Sequence, residues 1–273
     1  MKNVIPGSEN IEEFICVVCQ YVTQLFARSE KWTKENILGY LTSSNRNYVQ
    51  AAWEGLMVGL HDFSIPFATA ILPIFQNNIE TGRNLRGDLK NQFIYDYVML
   101  LVYIVDDPLE YHIGQILKGS TEADRHQFAR SIYMVLENMK TVQRSELWNR
   151  RLKEYWELRI NNTPEKLCSE ELGIMLNWVL LLQDEYEEVV DLLLRSECNE
   201  PDSYILIRDL KNSDIVKQHP QKTGELLIYL LQHNGMWMDR QVVDGLFLKL
   251  KSYGLKADTI EKIGELIQRI YIS

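Results

Sequence analysis

Residues Trp148–Glu171, WNRRLKEYWELRINNTPEKLCSEE, carry the reading on which the fold depends. Trp148, Leu152, Tyr155, Trp156 and Arg159 recur at offsets of +4, +7, +8 and +11, which places them on one continuous face of an α-helix. Turn residues at Asn161–Pro164 end that pattern, and a second helix starts beyond them. The stretch therefore reads as helix, turn, helix, with two tryptophans, a tyrosine and neighbouring arginines on the first arm.

The same offsets recur elsewhere in the chain. Val49, Trp53, Leu56, Met57 and Leu60 repeat them upstream, as do Phe128, Ile132, Val135, Leu136 and Met139. Before these, Ile11, Phe14, Ile15, Val18, Val22 and Leu25 predict one helix over Asn10–Ala27, and Thr33 reads as the cap of the next. Pro66 suits a first turn, whereas Pro73 predicts a kink. Glu80–Asp88 reads as a loop; its glycines have phosphate-loop spacing, but Asp88 stands where that loop needs lysine and no strand precedes it. Leu89–Val105 is apolar nearly all round, as expected of a central helix. Helical segments follow near Ser169–Gln183, Tyr186–Leu194, Tyr204–Leu210, Thr223–His233, Gln241–Tyr253 and Ala257–Tyr271, and no strand alternation interrupts them. The predicted fold is all-α: a right-handed stack of antiparallel helix pairs, an α-solenoid of HEAT or TPR type with irregular repeats. One domain over 1–273 is expected, with a soft subdivision into 1–197 and 202–273.

Composition narrows the function. A net charge of −9 argues against general binding to nucleic acid or anionic membranes. The longest apolar run, Tyr97–Val105, falls well short of the roughly 20 residues of a membrane span. No secretory signal is read in Met1–Glu13, so a cytoplasmic location is expected. Cys16 and Cys19 form a CxxC inside a helical run rather than a strand–turn–helix, and Cys168 and Cys198 stand alone, so the thiols read as buried and inert. His61, His112, His126, His219 and His233 form no HExxH or close pair, and the acidic run Asp184–Asp191 reads as a solvated face. No catalytic residue, cofactor site or metal site is expected, and the chain reads as no enzyme.

Two readings of the Trp148 face stand side by side. In one, the rings are packing between helix pairs. In the other, Trp148, Arg151, Tyr155, Trp156 and Arg159 form a partner-binding patch, since aromatic and arginine residues dominate protein-binding hot spots.

AAWEGLM at Ala51–Met57, taken with WNRRLKEYWELR and the TPEKLCSEE turn, resembles the helical C-terminal region of bacterial antiphage defence proteins, both sirtuin-associated and STAND-type. Trp53, Glu54, Gly55, Trp148, Tyr155, Trp156, Arg159, Pro164 and Glu171 match its pattern, over about Trp32 to Leu194. The resemblance implies a non-enzymatic sensor or scaffold that binds a phage protein or a partner effector through the surface of its helical array, with homo-oligomerisation compatible. No sirtuin, nuclease or ATPase portion is read in the chain, so an effector would be a separate protein or a part of a longer one. The alternative is a stand-alone adaptor or immunity protein that neutralises a toxin, where negative charge would speed encounter with a basic target.

Overall fold

The computed structural model describes residues 10–106, 112–196, 203–234 and 238–271, and these are all-helical, with no strand among them. They fall into two compact units, Met1–Pro108 and Leu109–Ser273. The division expected at 197–202 is not where the units part. Side chains explain why: Tyr186 and Thr223 share a buried hydrogen bond of 2.8 Å, Ser196 and Tyr229 one of 2.6 Å, and Lys222 pairs with Asp191, so helices on both sides of that position hold together.

The first unit contains α1 (Ile11–Gln20), α2 (Val22–Arg28), α3 (Glu30–Asn36), a 3-10 turn (Leu38–Thr42), α4 (Arg46–Gly59), α5 (Ile65–Asn77), α6 (Ile79–Arg83) and α7 (Asp88–Tyr103). The single helix expected over Asn10–Ala27 breaks at Tyr21. Thr33 is no cap but a buried residue inside α3. The expected loop at Glu80–Asp88 begins as α6, whose Gly82 lies against the Phe93 ring. Ser64 caps α5, and the helix runs on through Pro73 to Asn77.

The most extensive packing in this unit joins α1 to α4. A Cβ placed on Gly55 would stand 2.0 Å from the Cys16 carbonyl oxygen, and one on Gly59 1.8 Å from that of Gln20. Only glycine permits so close a backbone approach. Since Gly55 meets Cys16 and Gly59 meets Gln20, the two helices run parallel. Behind them Trp53 is fully buried, its indole donating to the Leu41 carbonyl at 3.2 Å. Its ring meets Phe75 and Phe93 edge-on at 5.0 and 5.2 Å, and Tyr97 closes the cluster. Asp96, on α7, is also buried; Gln92 donates to its Oδ1 at 2.9 Å, and burial lifts its carboxyl to about 8.

The second unit contains α8 (Gly114–Leu117), α9 (Glu122–Asn138), α10 (Thr141–Leu147), a π-turn (Trp148–Leu152), α11 (Lys153–Ile160), α12 (Ser169–Trp178), α13 (Tyr186–Leu194), α14 (Tyr204–Asn212), α15 (Ile215–Gln218), α16 (Pro220–Asn234), α17 (Arg240–Ser252) and α18 (Ala257–Tyr271). Thr121 and Asp124 form a reciprocal capping box at the start of α9, a device that contributes about 1 kcal/mol. The main packing skips over neighbours in sequence: α9 lies on α12, α14 on α17, α16 on α18, and α13 bridges α11 and α16. Gln221 meets Lys256 and Thr259, while Ile228 and Tyr229 share a groove with Lys262, so α16 and α18 run parallel. No helix among the described residues is long and apolar enough to cross a membrane.

Candidate functional site

The face of Trp148, Tyr155, Trp156 and Arg159 is interior. All four residues are fully buried, and only Arg151 of the expected binding set is partly exposed. They therefore offer no partner surface in this structure. A π-turn at Trp148–Leu152 joins α10 to α11, adding a residue to the turn that carries Trp148. Trp148 and Trp156 meet edge-to-face at 5.9 Å, Trp156 and Trp178 at 5.5 Å, and Tyr155 stacks between Phe128 and Trp178. Such ring pairs stabilise by about 0.5–1.5 kcal/mol beyond their buried area. The indole of Trp148 reaches outward to Glu188 Oε2 at 2.8 Å, and Lys153 holds the other oxygen at 2.6 Å. These contacts, Lys153 first, keep the Glu188 carboxyl below its ordinary range.

Beneath the rings lies a buried ion pair. Arg159 donates through Nε to Glu171 Oε1 at 2.6 Å and through Nη2 to Oε2 at 2.8 Å, a bidentate fork. Its Nη1 reaches the carbonyls of Thr163 and Glu165, both at 2.7 Å. Burial disfavours the Arg159 cation, but the hydrogen bonds and charge of Glu171 more than reverse this and raise its pKa. On its far side Glu171 meets Arg125 Nε at 3.6 Å, and Arg125 in turn donates to the Ser120 carbonyl at 2.7 Å. Burial and the Glu171 charge push the Tyr155 phenol well above its usual pKa.

The turn is thus folded around one guanidinium. Asn162 adopts φ +57°, its side chain accepts from the Leu167 amide at 3.0 Å, and the Thr163–Pro164 peptide is cis. Glu165 lies within the same turn and accepts from the Gly119 amide at 3.3 Å. What the arrangement does is join α11 to α12 through one buried carboxylate shared by two guanidinium groups. The turn residues Asn161–Pro164 are exposed, and a groove beside them is lined by Glu157, Ile160, Asn161, Asn162 and Arg195.

Among the described residues, Glu122, Cys168 and Glu170 bring three donor atoms within 4.8 Å of one another. A metal ion could be held there, but local structure accounts for the grouping. Glu122 and Glu170 occupy the first turns of α9 and α12, where the partial positive charge of a helix start favours carboxylates. Burial, and then the nearby carboxylates, raise the Cys168 pKa and so favour the thiol over the thiolate that binds metals. The CxxC cysteines lie on α1 as free thiols, and burial drives Cys19 up to about 12.

A family model described as a domain of unknown function, DUF4020, matches residues 109–251, a little over half of the chain. The chain belongs to the DUF4020 family. The match begins where the second compact unit begins and takes in the whole Trp148–Glu171 stretch, whereas the AAWEG helix lies outside it. The DUF4020 segment therefore holds the buried Arg159–Glu171 pair and the tryptophan cluster. No curated protein and no solved structure matches the chain.

Arg125 was the residue that sequence reasoning missed. It lies in a polar stretch of α9 that reads as solvated, and nothing local marks it as the second cation on Glu171. Glu171 itself stood in the motif, but its partner was visible only as one of several arginines.

Proposed function

We propose that the chain is a non-enzymatic protein-recognition module of a bacterial antiphage defence system, acting as a sensor or scaffold built as an irregular α-solenoid. The observation that carries the reading is the skipping pattern of the second unit, α9 on α12, α14 on α17 and α16 on α18, with α13 packed on both α11 and α16. Helix pairs stacked layer on layer give that pattern, and such stacks generate extended binding surfaces. The ionised groups at the centre of the motif support it too, since Arg159, Glu171 and Arg125 are engaged with one another and with backbone. The recognition surface lies away from the Trp148 face.

The defence reading is tested by challenging bacteria that carry the gene and its chromosomal neighbours with a panel of phages. Loss of plaque formation that requires an intact copy of this gene supports it. Full plaque formation throughout, with specific capture of a toxin by the purified chain, overturns it in favour of the immunity-protein alternative, in which the acidic surface would meet a basic toxin.

A further inference from the structure

The first unit carries an acidic groove with an apolar border. The groove, about 490 Å³, opens between α1 and α4, and Glu12, Glu13 and Glu54 line it. No described lysine or arginine pairs with any of the three; Glu12 accepts from the Asn47 amide at 2.9 Å and Glu54 from the Gln50 amide at 2.6 Å. Its apolar lining includes Val17 and Ala51, and Val17 continues into a stripe along α1. Phe14, Val17 and Tyr21 stand at i, i+3 and i+7, and they are 46%, 51% and 53% exposed. Large apolar side chains at these spacings, two on α1 and one at the residue that ends it, all half out in solvent, form a patch rather than a scatter.

We infer that the α1–α4 groove is a docking site for a lysine- or arginine-rich amphipathic helix of a partner protein. The inference takes up the protein-recognition part of the reading above and gives the partner its chemistry. Charge selects the occupant. Three carboxylates without a paired cation among the described residues attract basic side chains and repel nucleic acid and anionic lipid. Shape selects a helix, because the depression between two parallel helices accepts the ridge of a third, and the described residues offer no strand edge to extend. Apolar residues of the incoming helix cover Phe14, Val17 and Tyr21, while its cations reach Glu13 and Glu54. Aromatic positions such as Phe14 and Tyr21 supply the contact area typical of binding hot spots.

The test uses the full chain and fluorescence anisotropy with a labelled 18-residue amphipathic peptide of leucine and lysine, beside the same peptide with glutamate for lysine. Saturable one-to-one binding of the lysine peptide alone is expected. A Glu13→Lys/Glu54→Lys variant, checked for native helicity by circular dichroism, should weaken it on the order of tenfold or more. Val17→Asp should weaken it as well. A control variant with the same charge change off the groove, Glu35→Lys/Asp62→Lys, should bind as the parent does. Equal loss in both double variants, or full affinity in the groove variant, overturns the inference, because binding would then follow net charge or another surface. Sedimentation of the chain alone that reveals a dimer abolished by the groove variant also overturns it, making a second copy the occupant. Phage protection that survives the groove variant would sink this surface and leave the defence reading standing; peptide binding without any phage protection would do the reverse.

Discussion

The Trp53 cluster and the Trp156 cluster use the same residue types and differ in what surrounds them. Around Trp53 the packing is a matter of small residues: Gly55 and Gly59 let the α4 backbone touch that of α1, and Phe75, Phe93 and Tyr97 fill the space behind. Around Trp156 the rings sit above a charged core in which Arg159 and Glu171 are fully removed from solvent. The first arrangement tolerates little added volume, while the second tolerates little change in charge. A core can be specified by shape or by electrostatic matching, and this chain does each in a different unit.

The largest test of the contrast removes one charge. Arg159→Met leaves Glu171 buried with the longer contacts from Arg125 and the Tyr155 hydroxyl, and should lower unfolding free energy by about 3–5 kcal/mol, read as a fall in the denaturant midpoint. Replacing the whole cluster, Arg125→Met and Arg159→Met with Glu171→Leu, should recover much of that loss; a triple variant as unstable as the single one would show that the backbone bonds to Thr163 and Glu165 matter more than the charges. Trp156→Ala should cost a similar ~3–5 kcal/mol by opening a cavity. Trp156→Phe should cost less, because the indole N–H has no acceptor among the described residues and its loss is harmless.

Volume is probed at Gly55. Alanine there favours helix by about 1 kcal/mol but drives a methyl into the Cys16 carbonyl, so a net loss of about 1–3 kcal/mol is expected in thermal melts. A stabilised variant would mean that α1 can move away freely. The buried carboxyl of the first unit gives a pH signature. Asp96 is held protonated up to about 8 in the folded chain, whereas the unfolded chain loses that proton near 4. Between these values the folded state binds more protons than the unfolded, so stability falls as pH rises from 4 towards 8. Asp96→Asn should flatten that slope in urea titrations across the range and be no less stable than the parent at pH 8. Least affected should be the half-exposed Lys153–Glu188 pair, where Lys153→Ala is expected to leave the denaturant midpoint within error of the parent, because solvent screens an exposed ion pair.

The periodic faces were legible because apolar spacing is local. Trp53, Trp148 and Trp156 could be placed on helix faces from their neighbours, and each is buried. Features that depend on distant partners were not. Whether Tyr155 and Arg159 face solvent or core is settled by Glu171, twelve residues beyond Arg159, and by Arg125 on another helix, and single-sequence spacing cannot join them. The π-turn at Trp148–Leu152 escaped for a related reason, since one added residue leaves Trp148 on an apolar face and so leaves no gap in the pattern. Gly55 leaves room for some helix to approach α4, but only the Cys16 carbonyl shows which helix does so and how close the backbones come.

The guanidinium at the α11–α12 turn has a consequence for how the sequence can change. Arg159 binds the backbone carbonyls of Thr163 and Glu165, not their side chains. The shape of the connection is therefore written partly outside it, in Arg159 of the preceding helix and its partner Glu171, and partly within it, in Asn162 and Glu165. Loop residues whose side chains make no such bond, Lys166 among them, become available for diversification. A substitution at Lys166 thus leaves the turn as it is, whereas an insertion that shifted the Thr163 or Glu165 carbonyl would strand a buried cation.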